Sequence, residues 1–227
     1  MSDPGLELKN MELKGKKIAF LGDSITEGCG TSSIDKTFWS IIAQRTGAEC
    51  FGYGIGGTRI APQQNVPEGE VDRYFATRVD SMIPDADVVV VFGGTNDFGH
   101  GNAPFGNIHD TDERTFCGAY HNLCRKLIAR YPEAQLVIMT PTHRDSEDNG
   151  PYNEWGVRLC ANLRGYVDAI VEIAAFYSIP VLDLYRVSGI QSRVPEWKER
   201  YMPDGLHPND AGHVRIADKL MGFLSVL

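Results

Sequence analysis

No run of apolar residues in this sequence reaches the length of a membrane span. The stretch ahead of Lys17 is polar and charged, without the apolar segment that directs secretion. The expectation is a chain with no membrane insertion, placed in the cytoplasm. Cysteine is scarce and unpatterned: Cys29, Cys50, Cys117, Cys124 and Cys160 are odd in number and form no CxxC pair. Reduced thiols, several of them buried as small hydrophobes, suit that compartment. Positive charge is in deficit, with 22 Lys and Arg against 30 Asp and Glu and a formal net charge of −8. Such a field repels polyanions, so neither nucleic acid nor an anionic membrane surface is an expected partner. Internal repeats and low-complexity linkers are also missing. What remains is an ordinary globular composition, 42% hydrophobic and 23% charged over 227 residues. That supports one sizeable core but not two. The expected organisation is a single domain over 1–227, with 1–16 as an N-terminal extension.

Along the chain, strand-like apolar runs alternate with helical patterns. Strands are expected at 17–22 (KIAFLG), 49–53, 87–92 (DVVVVF), 135–140 (QLVIMT) and 180–184. Helices are expected at 37–46, 70–82, 113–130, 155–177 and 210–223. The 70–82 expectation rests on Val71, Phe75, Val79 and Met82, and the 155–177 one on a spacing that includes Val157, Cys160 and Ala161. Five strands alternating with helices predict an α/β fold: a doubly wound, flavodoxin-like, five-stranded parallel sheet with helices on both faces. In such sheets the ligand crevice lies beyond the carboxyl ends of the strands.

Four motifs fall at such ends or in the last loop. Gly22-Asp23-Ser24-Ile25-Thr26-Glu27-Gly28 follows the first strand, where a turn holds a serine exposed with its own N–H aimed at the reaction centre. A helix N-cap is the competing role for that serine. Thr26 replaces the second glycine of a G-x-S-x-G elbow, and no Gly-Lys-Ser/Thr follows to make a P-loop. Gly54-Ile55-Gly56-Gly57-Thr58-Arg59 follows the second strand and offers an unblocked backbone N–H, or only a tight turn. Gly93-Gly94-Thr95-Asn96-Asp97 follows the third, where Asn96 either donates its amide to a developing oxyanion or caps the turn. Asp204-Gly205-Leu206-His207-Pro208 precedes the last helix. There Asp204 can reach Nδ1–H of His207 and leave Nε2 as a base, with a capping Asp and a solvated His as the alternative. Pro208 should hold His207 extended and start the helix.

Together these supply a nucleophile, a base, its orienting partner and three oxyanion donors: the Ser24 N–H, the Gly57 N–H and the Asn96 side chain. The blocks GDSIT, GIGG, GGTND and DGLHP, in this order across nearly the whole chain, resemble those of the SGNH/GDSL hydrolases. The resemblance implies Ser24 as nucleophile, Gly57 and Asn96 as oxyanion donors, Asp204 and His207 completing the triad, and neither cofactor nor metal. Gly56 competes with Gly57, and Ile25 stands where the GDSL name has leucine. Asp23, Thr58, Phe98, His143 and Tyr201 are further candidates for substrate contact.

His100 and His109 share a loop with Asp97, Asp110 and Asp112 at a spacing that fits no metal-ligand pattern. His121 and His213 lie in helical patterns as surface or satisfied side chains. The loops 98–112 and 185–203 have the length of functional lids. Phe105, Tyr185, Trp197 and Tyr201 in them either wall an acyl or sugar pocket or pack onto the core. The expected activity is hydrolysis of a small-molecule carboxylic ester through an acyl-enzyme. Short acyl groups are favoured, with carbohydrate O-deacetylation as the leading form. A lysophospholipase or thioesterase, and a non-catalytic binding module, are the alternatives.

Overall fold

The computed structural model describes residues 13–148, 152, 156 and 162–227. Its strands β1 (Lys17–Gly22), β2 (Glu49–Gly54), β3 (Val88–Phe92), β4 (Gln135–Met139) and β5 (Val181–Leu182) are all parallel, in the order β2-β1-β3-β4-β5. That is the doubly wound order, with its switch point between β1 and β3.

Side-chain alternation divides the strands between two cores. Ile18, Phe20, Val88, Val90, Phe92, Val137 and Met139 face α2 (Phe38–Thr46) and the C-terminal helix, which contribute Phe38, Ile42, Ile216 and Leu220. Ala19, Leu21, Val89, Val91 and Ile138 face the opposite layer, where Phe75, Phe116, Tyr120, Tyr166 and Ile170 pack. β3 is buried at every position, as an all-apolar central strand must be. No helix among the described residues is long and apolar enough to cross a membrane.

The helices begin at side-chain caps. Thr37 accepts from Ser40 N at the start of α2, Thr115 from Gly118 N at α5 (Phe116–Arg130), and Asn162 from Gly165 N at α6 (Leu163–Phe176). Asn209 accepts from Gly212 N at α9 (Asp210–Leu224). Pro208 therefore lies ahead of the cap, and the cap rather than the proline starts that helix.

Several expectations need correction. The 70–82 helix is only α3 (Phe75–Arg78) followed by a 3-10 turn, Val79–Ser81. Val71, the residue that extended the pattern, is 78% exposed. Phe75, Val79 and Met82 are buried, but a single turn followed by a tighter one suffices to bury them. The fifth strand ends at Leu182, because Asp183 caps α7 (Leu184–Val187). Residues 185–203 are not one loop: α7 is followed by α8 (Pro195–Tyr201), with Pro195 in its first turn. Residues 98–112 begin inside α4 (Thr95–His100). The expected start of the 155–177 helix, with Val157, Cys160 and Ala161, lies outside the described residues.

Candidate active site

β1 ends at Gly22, and the chain turns at once into the four-residue helix α1 (Ser24–Glu27). Asp23 caps it, its Oδ1 accepting from Ile25 N at 3.0 Å. Ser24, as the first helical residue, has an N–H that the helix itself does not bond. The turn packs tightly on β2, since a Cβ on Gly54 would run into the backbone of Glu27. Trp39 of α2 steadies it further, donating Nε1–H to Thr26 O at 2.9 Å.

His207 arrives from the far end of the chain. Its Nε2 lies 3.1 Å from Ser24 Oγ, and its Nδ1 lies 2.7 Å from Asp204 Oδ2. A carboxylate only accepts, so Nδ1 carries the proton and Nε2 is left to accept from the serine. Asp204 Oδ1 takes the N–H groups of Leu206 (2.9 Å) and His207 (2.7 Å). Burial pushes this carboxyl up, but those two bonds and the imidazole outweigh it, so Asp204 titrates below its ordinary value. The turn between them needs Gly205 at φ +78°; its carbonyl accepts from Asp145 N at 2.7 Å.

Asn96, in the first turn of α4, is 4% exposed and donates Nδ2–H to Thr58 O at 2.9 Å. An amide has two such hydrogens, so one remains for a ligand. Gly57 has φ +71° and an N–H with no partner among the described residues, whereas Gly56 N donates to Glu27 Oε2 at 2.8 Å. Ser24, Gly57, Asn96, Asp204 and His207 thus converge at one edge of the sheet, as acyl transfer by a serine requires.

The matching family model settles what kind of protein this is: the GDSL-like Lipase/Acylhydrolase description fits residues 20–215. The chain belongs to that family. It is a hydrolase acting on ester bonds. A GDSL lipase of Mycobacterium tuberculosis is 27% identical over 223 residues, covering 92% of this chain and 81% of that protein. The crystal structure of a Lactobacillus plantarum protein is 33% identical with a TM-score of 0.79, covering 94% of this chain and 98% of the other. An acetyl xylan esterase shares the fold at 24% identity and TM-score 0.65, covering 92% of this chain and 99% of its own.

In this GDSL-family chain the other candidates for substrate contact are held by the protein itself. Thr58 Oγ1 donates to Ile55 O (2.7 Å) and accepts from Arg78 Nη2 (3.1 Å). Phe98 is buried edge-on to Tyr166, with the Arg144 guanidinium over its face. Tyr201 is a core residue whose hydroxyl accepts from Arg215 Nη1 at 2.7 Å, and Phe105 packs on Phe116 and Tyr166. His143 is half-buried, its Nδ1 2.9 Å from Glu147 Oε2 and its ring 3.9 Å from that of Tyr185. The carboxylates of 97–112 are engaged separately: Asp97 by Ile60 and Ala61, Asp110 by Asn107 N, and Asp112 by Arg114. Among the described residues no three or more His, Cys, Asp or Glu gather to hold a metal. His121 is satisfied by Tyr177 and Ile108. His213 is neither at the surface nor satisfied: it is fully buried, with Nδ1 accepting from Phe38 N and Nε2 without a hydrogen-bond partner among the described residues. Burial, then the charges of Glu27, Asp23 and Asp204, push the Cys29 thiol up, against any thiolate role.

Sequence reasoning missed Arg78, a charged residue in a short helix with nothing to mark it as buried. It donates to Tyr53 O (2.7 Å), Gly22 O (2.9 Å) and Thr58 Oγ1, tying together the ends of β1 and β2 and the loop that follows. Burial lowers its pKa to about 10, with nearby Asp23 opposing the shift.

Asp23 is the most perturbed carboxyl at the site. Burial raises it to about 7, against the Ile25 bond and the charges of His207 and Arg78. Its folded value lies above the unfolded one, near 3.9. The stability contributed by protonation is therefore complete below about pH 4 and lost as pH rises through about 7. Asn caps a helix as well as Asp but carries no charge. Asp23→Asn should therefore melt above wild type at pH 8, by roughly 4–8 °C if about 2 kcal/mol of the shift is realised. The gap should close by pH 4. Melting curves of both proteins across this range check it; a variant less stable at pH 8 contradicts the sign.

Proposed function

We propose that the protein is a serine esterase that works through an acyl-enzyme and prefers short acyl groups, with O-deacetylation of a carbohydrate as the leading form. The observation carrying this reading is the continuous relay from Ser24 Oγ through His207 to Asp204. In the first half-reaction Ser24 Oγ attacks the ester carbonyl carbon and its proton passes to His207 Nε2. The carbonyl oxygen becomes an oxyanion received by the Ser24 and Gly57 N–H groups and the second Asn96 amide hydrogen. Collapse expels the alcohol, which takes the proton back from Nε2. Water, deprotonated by the same nitrogen, then releases the carboxylic acid. Asp204 stabilises the imidazolium while it exists.

The short-acyl preference is supported by the side chains around the oxyanion donors. Arg59 and His100 bond to each other at 2.9 Å, with His100 Cε1 4.0 Å from where a Gly57 Cβ would lie. Arg144 donates to Thr95 O at 3.0 Å. Polar groups gathered beside the oxyanion donors favour a hydroxylated substrate over an alkyl chain. The acetyl xylan esterase carries deacetylation on the same fold. A cytoplasmic setting is part of the proposal, compatible with the free thiols of Cys29, Cys50 and Cys124.

A series of p-nitrophenyl esters from acetate to palmitate tests the acyl preference. The expected kcat/KM is highest at the shortest chains; a maximum at long chains establishes the lysophospholipase or thioesterase alternative. Fluorophosphonate labelling tests the mechanism itself. Folded protein should be modified at Ser24, and a protein that takes no label would be a binding module on this fold.

A further inference from the structure

The loop between β2 and α3 has to leave one N–H open to the reacting oxygen while its neighbours are satisfied. Ile55 N donates to Gly22 O at 3.2 Å, Gly56 N to Glu27 Oε2 at 2.8 Å, and Thr58 N to Ile55 O at 3.3 Å. Ile60 N and Ala61 N donate to Asp97 Oδ2 and Oδ1, each at 2.9 Å. Only the N–H groups of Gly57 and Arg59 in this stretch have no partner among the described residues. Two of the fastening points are carboxylates, and each belongs to a helix bearing a catalytic group. Glu27 closes the helix that Ser24 opens, and Asp97 follows Asn96 in α4. A Cβ on Gly56 would lie 3.8 Å from Ser24 Cβ, so the Glu27 contact is made directly beside the nucleophile.

We propose that Glu27 and Asp97 are positioning residues of the oxyanion hole. Glu27 engages Gly56 and so selects Gly57 as the donor, while Asp97 locks the far end of the loop to the helix carrying Asn96. Charge-assisted bonds to backbone N–H are roughly twice as strong as neutral ones, which suits a loop that must not shift. Oxyanion donors need such support, because a misplacement of about 1 Å can cost on the order of 100-fold in rate. Neither residue touches the substrate in this scheme; both act through the backbone.

The inference rests on the hydrolase reading above, and the experiment separates the two. Wild type, Glu27→Ala, Glu27→Gln and Asp97→Asn are compared for kcat and KM on p-nitrophenyl acetate and for the rate of fluorophosphonate addition at Ser24. Glu27 is exposed, so its variants should fold normally, as circular dichroism would verify. Glu27→Ala is expected to lower kcat about 10-fold with KM within about twofold, and phosphonylation should slow in parallel, because its developing oxyanion uses the same donors. Glu27→Gln should recover kcat to within about threefold, since an amide oxygen can still accept from Gly56. Asp97→Asn, which turns one acceptor into a donor facing an N–H, should cost about 100-fold in kcat. Wild-type kcat in Glu27→Ala, or equal losses in the Ala and Gln variants, overturns the inference. A wild type inert to fluorophosphonate overturns the hydrolase reading instead.

Discussion

Ser24→Ala should lower kcat/KM on p-nitrophenyl acetate on the order of 10⁵-fold, and His207→Ala by a similar factor. The reason is that the two groups form one device. Without the Nε2 acceptor 3.1 Å away, the Ser24 hydroxyl keeps its proton and is a poor nucleophile; without the hydroxyl, the base has nothing to activate. The double variant should therefore lose little beyond either single one. The residual rate belongs to the oxyanion donors, which neither change removes. Kinetics of the three variants decide the matter: losses that multiply would mean that Ser24 and His207 act independently, and no triad would exist.

Arg78→Met should be the most destabilising single change at the site. It keeps most of the side-chain volume but removes the donors to Tyr53 O, Gly22 O and Thr58 Oγ1, in a place water reaches poorly. Breaking a buried, hydrogen-bonded charge in this way costs about 3–5 kcal/mol. For a domain of this size that is a fall in Tm of roughly 6–20 °C. Thermal melts at pH 7 check the size, and a shift under about 2 °C would mean the acceptors find other donors. Activity should fall as well, because Thr58 holds Asn96 through its carbonyl.

The contrast between Arg78 and Ser24 shows what can be read directly from the residues. The strands were legible because apolar runs such as VVVVF stop at glycines, and the backbone turns at those stops. The Asp204–His207 contact was legible because the two sit three positions apart across a glycine turn, which fixes their geometry locally. Arg78 was not, because a buried guanidinium is recognised by its acceptors, and those come from two strand ends and a distant loop. Asp97 is visible as part of GGTND, but its role there is not, since its partners Ile60 and Ala61 are 37 and 36 positions away. Glu27 lay in the quoted heptapeptide with no role assigned, as its acceptor function needs β2 alongside. The false 70–82 helix has the converse cause: apolar spacing reports which residues are buried, not how many turns of helix carry them. The competition between Gly56 and Gly57 could not be resolved in one dimension; the Glu27 contact distinguishes their two N–H groups.

Ser24 and His207 are 183 positions apart, and every strand of the sheet precedes the base in the chain. His207 is delivered by the docking of α9 on α2, where Ile216 and Leu220 meet Phe38 and Ile42 and His213 takes the Phe38 N–H. A nascent chain can therefore complete its entire sheet and still be inert until its last helix is released. During refolding the return of hydrolysis should lag the return of strand signal. The enzyme's own turnover thus serves as a clock for the final step of its folding.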